Sequence, residues 1–149
     1  MALQSPTTSG ERAERLLLAS TDADLRGWAQ ECLPPGVILC GFADSGSDLA
    51  ELARRLHVDV CLLDIGLPGD ALAAVRAVAE SAPAARVVVW AASDDNPDLL
   101  EAIAAGASGC IVGTPDREAL ASTLTDVVAG KPAIPPAVLT RIVSQLRLL

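Results

Sequence analysis

Short runs of consecutive apolar residues alternate with stretches of helical periodicity along almost the whole chain. No other feature constrains the fold as tightly. The apolar runs cover residues 15–19, 37–42, 58–64, 86–91 and 109–112. Residues that are apolar at every position, rather than at every second one, suit strands covered on both faces. The intervening stretches carry helix signals. Residues 22–33 follow a cap offered by Ser20 and Thr21 and stop at Pro34-Pro35-Gly36. Residues 44–57 open with Ser45-x-x-Asp48, and residues 70–81 form the third helix. Asn96-Pro97-Asp98 supplies a cap, a first-turn proline and a dipole-matching acid for a fourth helix that ends near Gly106. Thr114-Pro115-Asp116 opens a fifth, in which Leu120, Leu124, Val127 and Val128 recur at helical spacing. After Gly130-Lys131-Pro132 a last helix is predicted from about Pro136, with Leu139, Ile142, Val143 and Leu146 on one face.

Five buried strands alternating with helices imply an α/β domain with a five-stranded parallel sheet, doubly wound by right-handed crossovers in the flavodoxin-like manner. The sixth helix is surplus to that plan, and its apolar stripe needs a partner. At 149 residues the chain is one domain. Its only aromatics are Trp28, Phe42 and Trp90, so the core must be built from Ala, Val, Leu and Ile. A formal charge of −8 makes the chain a poor binder of phosphate backbones. Cys32, Cys40, Cys61 and Cys110 form no metal-ligand spacing, and the last three sit in apolar runs as small buried hydrophobes. There is no long apolar span and no signal-peptide layout, so a soluble, cytoplasmic protein is expected.

In such a sheet, sites form beyond the carboxyl ends of the strands. The candidates are therefore Ser20 and Thr21, Ala43 and Asp44, residues 64–68, residues 91–94, and Gly113 with Thr114. Asp64 stands out, because a carboxylate ending a buried strand is costly unless something uses or pairs it. It reads either as a functional acid or as a cap that orders the following loop. Other chemistry is thin: there is no phosphate-binding glycine loop and no nucleophile elbow. His57 reads as a surface or capping residue, Asp94-Asp95 as solvated dipole-matching acids, and Arg54-Arg55 as the basic end of a helix.

Three segments carry a resemblance. Residues 58–69 (VDVCLLDIGLPG), residues 105–112 (AGASGCIV) and residues 129–132 (AGKP) with the helix after them resemble response-regulator receiver domains of the NarL/FixJ class, those joined to a LuxR-type helix-turn-helix. The resemblance covers about residues 15–148 and implies a CheY-like receiver fold. It divides the chain into a flexible N-terminal segment (1–14), a receiver domain (15–131) and a linker helix (132–149) leading toward a DNA-binding domain absent from this chain. It places Asp64 at the phosphoacceptor position and the Gly66 carbonyl at the family's backbone metal ligand. The Mg²⁺-binding acid pair falls on Ser20 and Thr21, the Thr/Ser switch on Ala91, the aromatic switch on Cys110 and the lysine on Gly113. The chain holds a single lysine, Lys131, so that last loss is not a slip of alignment. Asp22 and Asp24 could partly replace the lost acids, although both fall naturally in the first turn of the first helix. Mg²⁺ binding is therefore expected to be weak, with no other cofactor.

The function expected is regulatory rather than enzymatic: a degenerate receiver that signals largely without phosphorylation, by dimerising or binding a partner. Dimerisation would use helices four and five or helices one and five. A histidine kinase is the partner the resemblance implies, and DNA would be reached only through the helix-turn-helix. The second reading is a pseudo-receiver that senses a small metabolite in the neutralised pocket. An enzyme would have only Asp64 as its catalytic group.

Overall fold

The computed structural model describes residues 13–67, 70–114 and 116–149; of the N-terminal segment 1–14 expected to be flexible, residues 1–12 lie outside them, as do Pro68, Gly69 and Pro115, while Glu14 already belongs to the first strand. Strands β1 (Glu14–Ala19), β2 (Val37–Ala43), β3 (Val60–Asp64), β4 (Arg86–Ala91) and β5 (Gly109–Val112) form one parallel sheet in the order β2-β1-β3-β4-β5. Helices α1 (Ala23–Cys32), α2 (Gly46–Arg55), α3 (Ala71–Ser81), α4 (Asp98–Ala105) and α5 (Arg117–Val128) alternate with the strands, and α6 (Pro136–Leu146) comes last. This is the doubly wound flavodoxin-like architecture expected from the alternation.

Successive strand residues point to opposite faces, so each continuous apolar run feeds two cores at once. Leu17, Ala19, Cys61, Leu63, Val87 and Val89 pack with Leu49, Val75, Val78 and Leu99 beneath α2, α3 and α4. Leu16, Leu18, Val60, Leu62, Val88 and Trp90 pack with Ala29, Leu120, Leu124 and Val127 beneath α1 and α5. The second expected strand departs from the pattern. β2 is an edge strand of mostly half-buried residues with Ile38 exposed, and Cys40 is half-buried where a buried thiol was expected.

Helix ends match the expected spans to within a residue or two, but the capping groups differ. Asp22, not Ser20 or Thr21, caps α1, accepting the Asp24 and Leu25 amides at 2.9 and 3.3 Å. A carboxylate suits this end because it also meets the positive end of the helix dipole. Within the expected opening Thr114-Pro115-Asp116, it is Asp116 that caps α5, through the Ala119 amide at 2.8 Å. Ser45 stands at the N-cap of α2, but its hydroxyl donates to the Asp48 carboxylate at 3.2 Å instead of binding backbone. Past the C-cap of α2, His57 is exposed and takes a left-handed φ of 51°.

The largest departure concerns α6. Its stripe does not wait wholly for a partner, because Val138 is fully buried in the core and Ile142 packs against it. The segment entering α6 runs along β5: Ala133 accepts the Cys110 amide at 2.9 Å and donates to the Ser108 carbonyl at 3.2 Å. Leu139, Val143 and Leu146, grouped with Ile142 in the sequence, remain exposed.

Candidate functional site

From β1 the chain first passes to β2 on one side of the sheet and then to β3 on the other. Loops leaving the carboxyl ends of β1 and β3 therefore diverge and leave a crevice between them. Ser20 follows Ala19, the last residue of β1, and Asp64 ends β3. Residues 16, 18 and 20, and likewise 60, 62 and 64, share strand parity, so both side chains stand on the α1/α5 side.

Ser20 is fully buried, and among the described residues it is the one polar side chain so placed. Its hydroxyl donates to Asp64 Oδ2 at 3.0 Å and accepts the Asp22 backbone N–H at 3.1 Å. The other oxygen, Asp64 Oδ1, accepts the Gly66 amide at 2.9 Å. Leu67 N–H reaches the Asp64 carbonyl at 2.9 Å, so the acid orders the turn that follows it. The loop-ordering role and a place at the site thus fall on the same carboxylate.

A cavity of about 460 Å³ opens beside this group. Asp22, Asp24 and Asp64 supply its charge, Leu25, Trp28 and Trp90 its apolar wall, and Gly113 with Thr114 its far side. Among the described residues no lysine or arginine lines it. Arg26, in the first turn of α1, is turned elsewhere: its Nε donates to the Ser20 carbonyl at 2.6 Å, its Nη2 pairs with Asp44 at 2.6 Å, and its guanidinium lies over Phe42.

The remaining candidates are scattered. Thr21 is exposed and does not line the cavity. Ala91 is buried in the α2/α3/α4 core, and its neighbour Ala92 lines the cavity instead. Cys110 is buried on β5 under the segment at Ala133, away from Asp64. Burial pushes its thiol up to about 11 and that of Cys61 up to about 12, which keeps both protonated and unreactive. Gly113 adopts φ +74° and acts through its backbone: its amide donates to the Ala91 carbonyl at 2.9 Å, and its carbonyl accepts Trp90 Nε1 at 2.7 Å.

Sequence reasoning missed the indole pair. Trp90, in register with Asp64 across β3 and β4, meets Trp28 edge-on with ring centroids 4.6 Å apart. The usable signal was the chain's two tryptophans, one of them a single residue from a strand end at the site.

The donor set does not fit Mg²⁺, which favours several carboxylate or phosphate oxygens in near-octahedral geometry. Where an acid would coordinate, Ser20 points its proton at Asp64. Asp22 commits Oδ1 to its own helix, and no three His, Cys, Asp or Glu side chains among the described residues converge on a metal position. Among the described residues, the cavity lining carries three acids and no lysine or arginine.

Comparison with known proteins places these features in context. A family model described as the response regulator receiver domain matches residues 17–125. The response regulator GacA of Pseudomonas aeruginosa is 34% identical over 104 residues, covering 69% of this chain and 49% of that protein. The nitrate/nitrite response regulator NarL of Escherichia coli is 27% identical over 142 residues, covering 93% of this chain and 66% of that one. The chain thus spans about half to two thirds of the length of these relatives. Among solved structures, the signal receiver domain of a NarL response regulator from Mycobacterium tuberculosis superposes with a TM-score of 0.74 at 26% identity, covering 80% of this chain and 99% of that one. A LuxR-family two-component response regulator from Aurantimonas shares the fold, with a TM-score of 0.78 at 24% identity over 92% of this chain and 99% of that one.

Proposed function

The chain belongs to the response regulator receiver domain family, and from that premise we propose that it is a degenerate receiver signalling mainly without phosphorylation. Response regulators of the NarL and GacA kind are among its relatives, and the type proposed is theirs. The observation that carries the reading is the occupancy of Asp64. Both carboxylate oxygens are held by neutral donors, Ser20 and Gly66, in a cavity that no cation among the described residues lines. In this state Asp64 organises the β1 and β3 ends rather than attacking a phosphoryl donor.

Signalling then falls to the surface, through a homodimer or a protein partner, and a histidine kinase is dispensable for the basal state. With its charge of −8 this chain does not grip DNA itself; that contact belongs to a helix-turn-helix joined beyond α6. The role is regulatory rather than enzymatic, and the setting proposed is the cytoplasm. Among the described residues no helix is long and apolar enough to cross a membrane. Sedimentation with and without acetyl phosphate and Mg²⁺ tests the reading. The association state should be the same in both and in Asp64→Asn, whereas a phosphodonor-dependent shift lost in Asp64→Asn would overturn it.

The cavity itself favours a second reading, a ligand-sensing pseudo-receiver. Leu25, Trp28 and Trp90 supply an apolar wall and Asp64 a polar anchor, the combination that small-molecule sites use. A thermal-shift screen of small metabolites, repeated on Trp28→Leu, separates the two readings.

A further inference from the structure

The segment 92–97 joins β4 to α4, and Ala92 lies on the rim of the cavity beside Asp64. The loop's own ties centre on Ser93 and Asn96: Ser93 Oγ donates to Asp95 Oδ1 at 2.6 Å and accepts the Asp95 amide at 3.4 Å, the Asn96 amide reaches the Ser93 carbonyl at 3.4 Å, and Asn96 accepts the Asp98 and Leu99 amides at 2.8 and 3.2 Å. A stronger restraint comes from outside it. On α6, Arg141 Nη1 donates to the Asp94 carbonyl and, at 3.3 Å, to the Asn96 carbonyl. One guanidinium nitrogen spanning two carbonyls sets the path of the loop between them, and charged donors make the stronger hydrogen bonds. The helix bearing it is seated by the buried Val138 and by the bridge between Ala133 and β5. Ala91 and Cys110 carry neither a hydroxyl nor a ring that could relay a shift through the core.

We infer that Arg141 latches α6 to the β4–α4 loop, so that the docking of α6 and the shape of the cavity beside Asp64 are energetically coupled. A change at the cavity rim alters α6, and undocking of α6 loosens the rim, because such coupling is reciprocal. α6 is thereby the element that carries a change at the site toward whatever follows it. This coupling holds whether or not Asp64 accepts a phosphoryl group, so its failure would leave the reading above untouched.

Amide hydrogen exchange on the full chain reads both ends of the latch. Arg141→Gln removes the charged donor while keeping a long polar side chain. In that variant the amides of 92–96 and of α6 should both exchange about tenfold faster, in keeping with the loss of hydrogen bonds from a charged group. β1 and β3 should keep their protection, and Arg141→Lys should restore part of it at the loop and α6. Ser93→Ala loosens the loop without touching α6, and exchange in α6 should nonetheless rise about threefold through local opening. Faster exchange confined to α6 in Arg141→Gln, or an unaltered α6 in Ser93→Ala, would overturn the coupling and leave Arg141 as a docking contact. Loss of protection across the whole sheet would also overturn it, by making Arg141 a general stabiliser.

Discussion

Ser20 Oγ donates to Asp64 Oδ2 at 3.0 Å while accepting the Asp22 backbone N–H at 3.1 Å, and the hydroxyl making both bonds is fully buried. One side chain therefore ties the start of α1 to the end of β3. An acid at this position would bring negative charge to Asp64; Ser20 instead turns a proton toward the Asp64 carboxylate.

We predict that Ser20→Ala destabilises the fold by about 2 kcal/mol, because a part-buried amide and a carboxylate oxygen both lose a partner. Thermal unfolding followed by circular dichroism should show Tm lower by about 6 °C for a chain of this size. An unchanged Tm would mean that water replaces the hydroxyl at no cost.

The thiols supply a pH prediction. Burial pushes Cys61 from 9.0 up to about 12 and Cys110 from 9.0 up to about 11. The folded state therefore keeps these protons after the unfolded state has released them. The stability they contribute is fully present below pH 9 and is lost as pH rises through 11 and 12. With no tyrosine and a single lysine in the chain, thiols dominate this limb. The urea midpoint should hold steady to about pH 8.5, the ordinary thiol range, and fall above it, and Cys61→Val should flatten the fall. In the same experiment, brief maleimide labelling at neutral pH should modify the half-buried Cys32 and Cys40 and spare Cys61 and Cys110.

Gly109 makes a packing prediction. A Cβ added there would stand 2.7 Å from the Ala133 carbonyl oxygen, a backbone atom that cannot step aside alone. Gly109→Ala should therefore cost about 1–3 kcal/mol by overpacking and push the α6 entry off β5. Urea unfolding measures the first effect, and faster amide exchange at Cys110, whose N–H bonds Ala133, reports the second.

Much of the fold was legible because continuous apolar runs leave little choice. β4 and β5 fall on the residues expected, 86–91 and 109–112, since their runs are bounded by Arg86 and Gly109. Caps were less legible. Ser20 precedes α1 as a good capper should, yet burial beside Asp64 claims its hydroxyl, and Asp22 takes the amides instead. The edge position of β2 was hidden because strand order is a property of topology, and a half-buried run of Val, Ile, Leu and Phe reads like a central one. The seat of α6 was hidden for a related reason: Val138, the residue that docks it, lies one position from the exposed Leu139, and nothing local separates them. At the site, Asp64 and the neutral Ser20 were legible from strand ends. The Trp28–Trp90 wall and the turning away of Arg26 toward Asp44 depend on tertiary packing and were not.

The most direct measurement is the intact mass of the full chain after incubation with acetyl phosphate and Mg²⁺, beside an Asp64→Asn control and with the fluorescence of the Trp28–Trp90 pair followed in the same tubes. We predict no added phosphoryl group and no fluorescence change in either protein. A gain of one phosphoryl group by the wild-type chain that Asp64→Asn lacks would contradict the account. It would restore an ordinary phosphoswitch at Asp64.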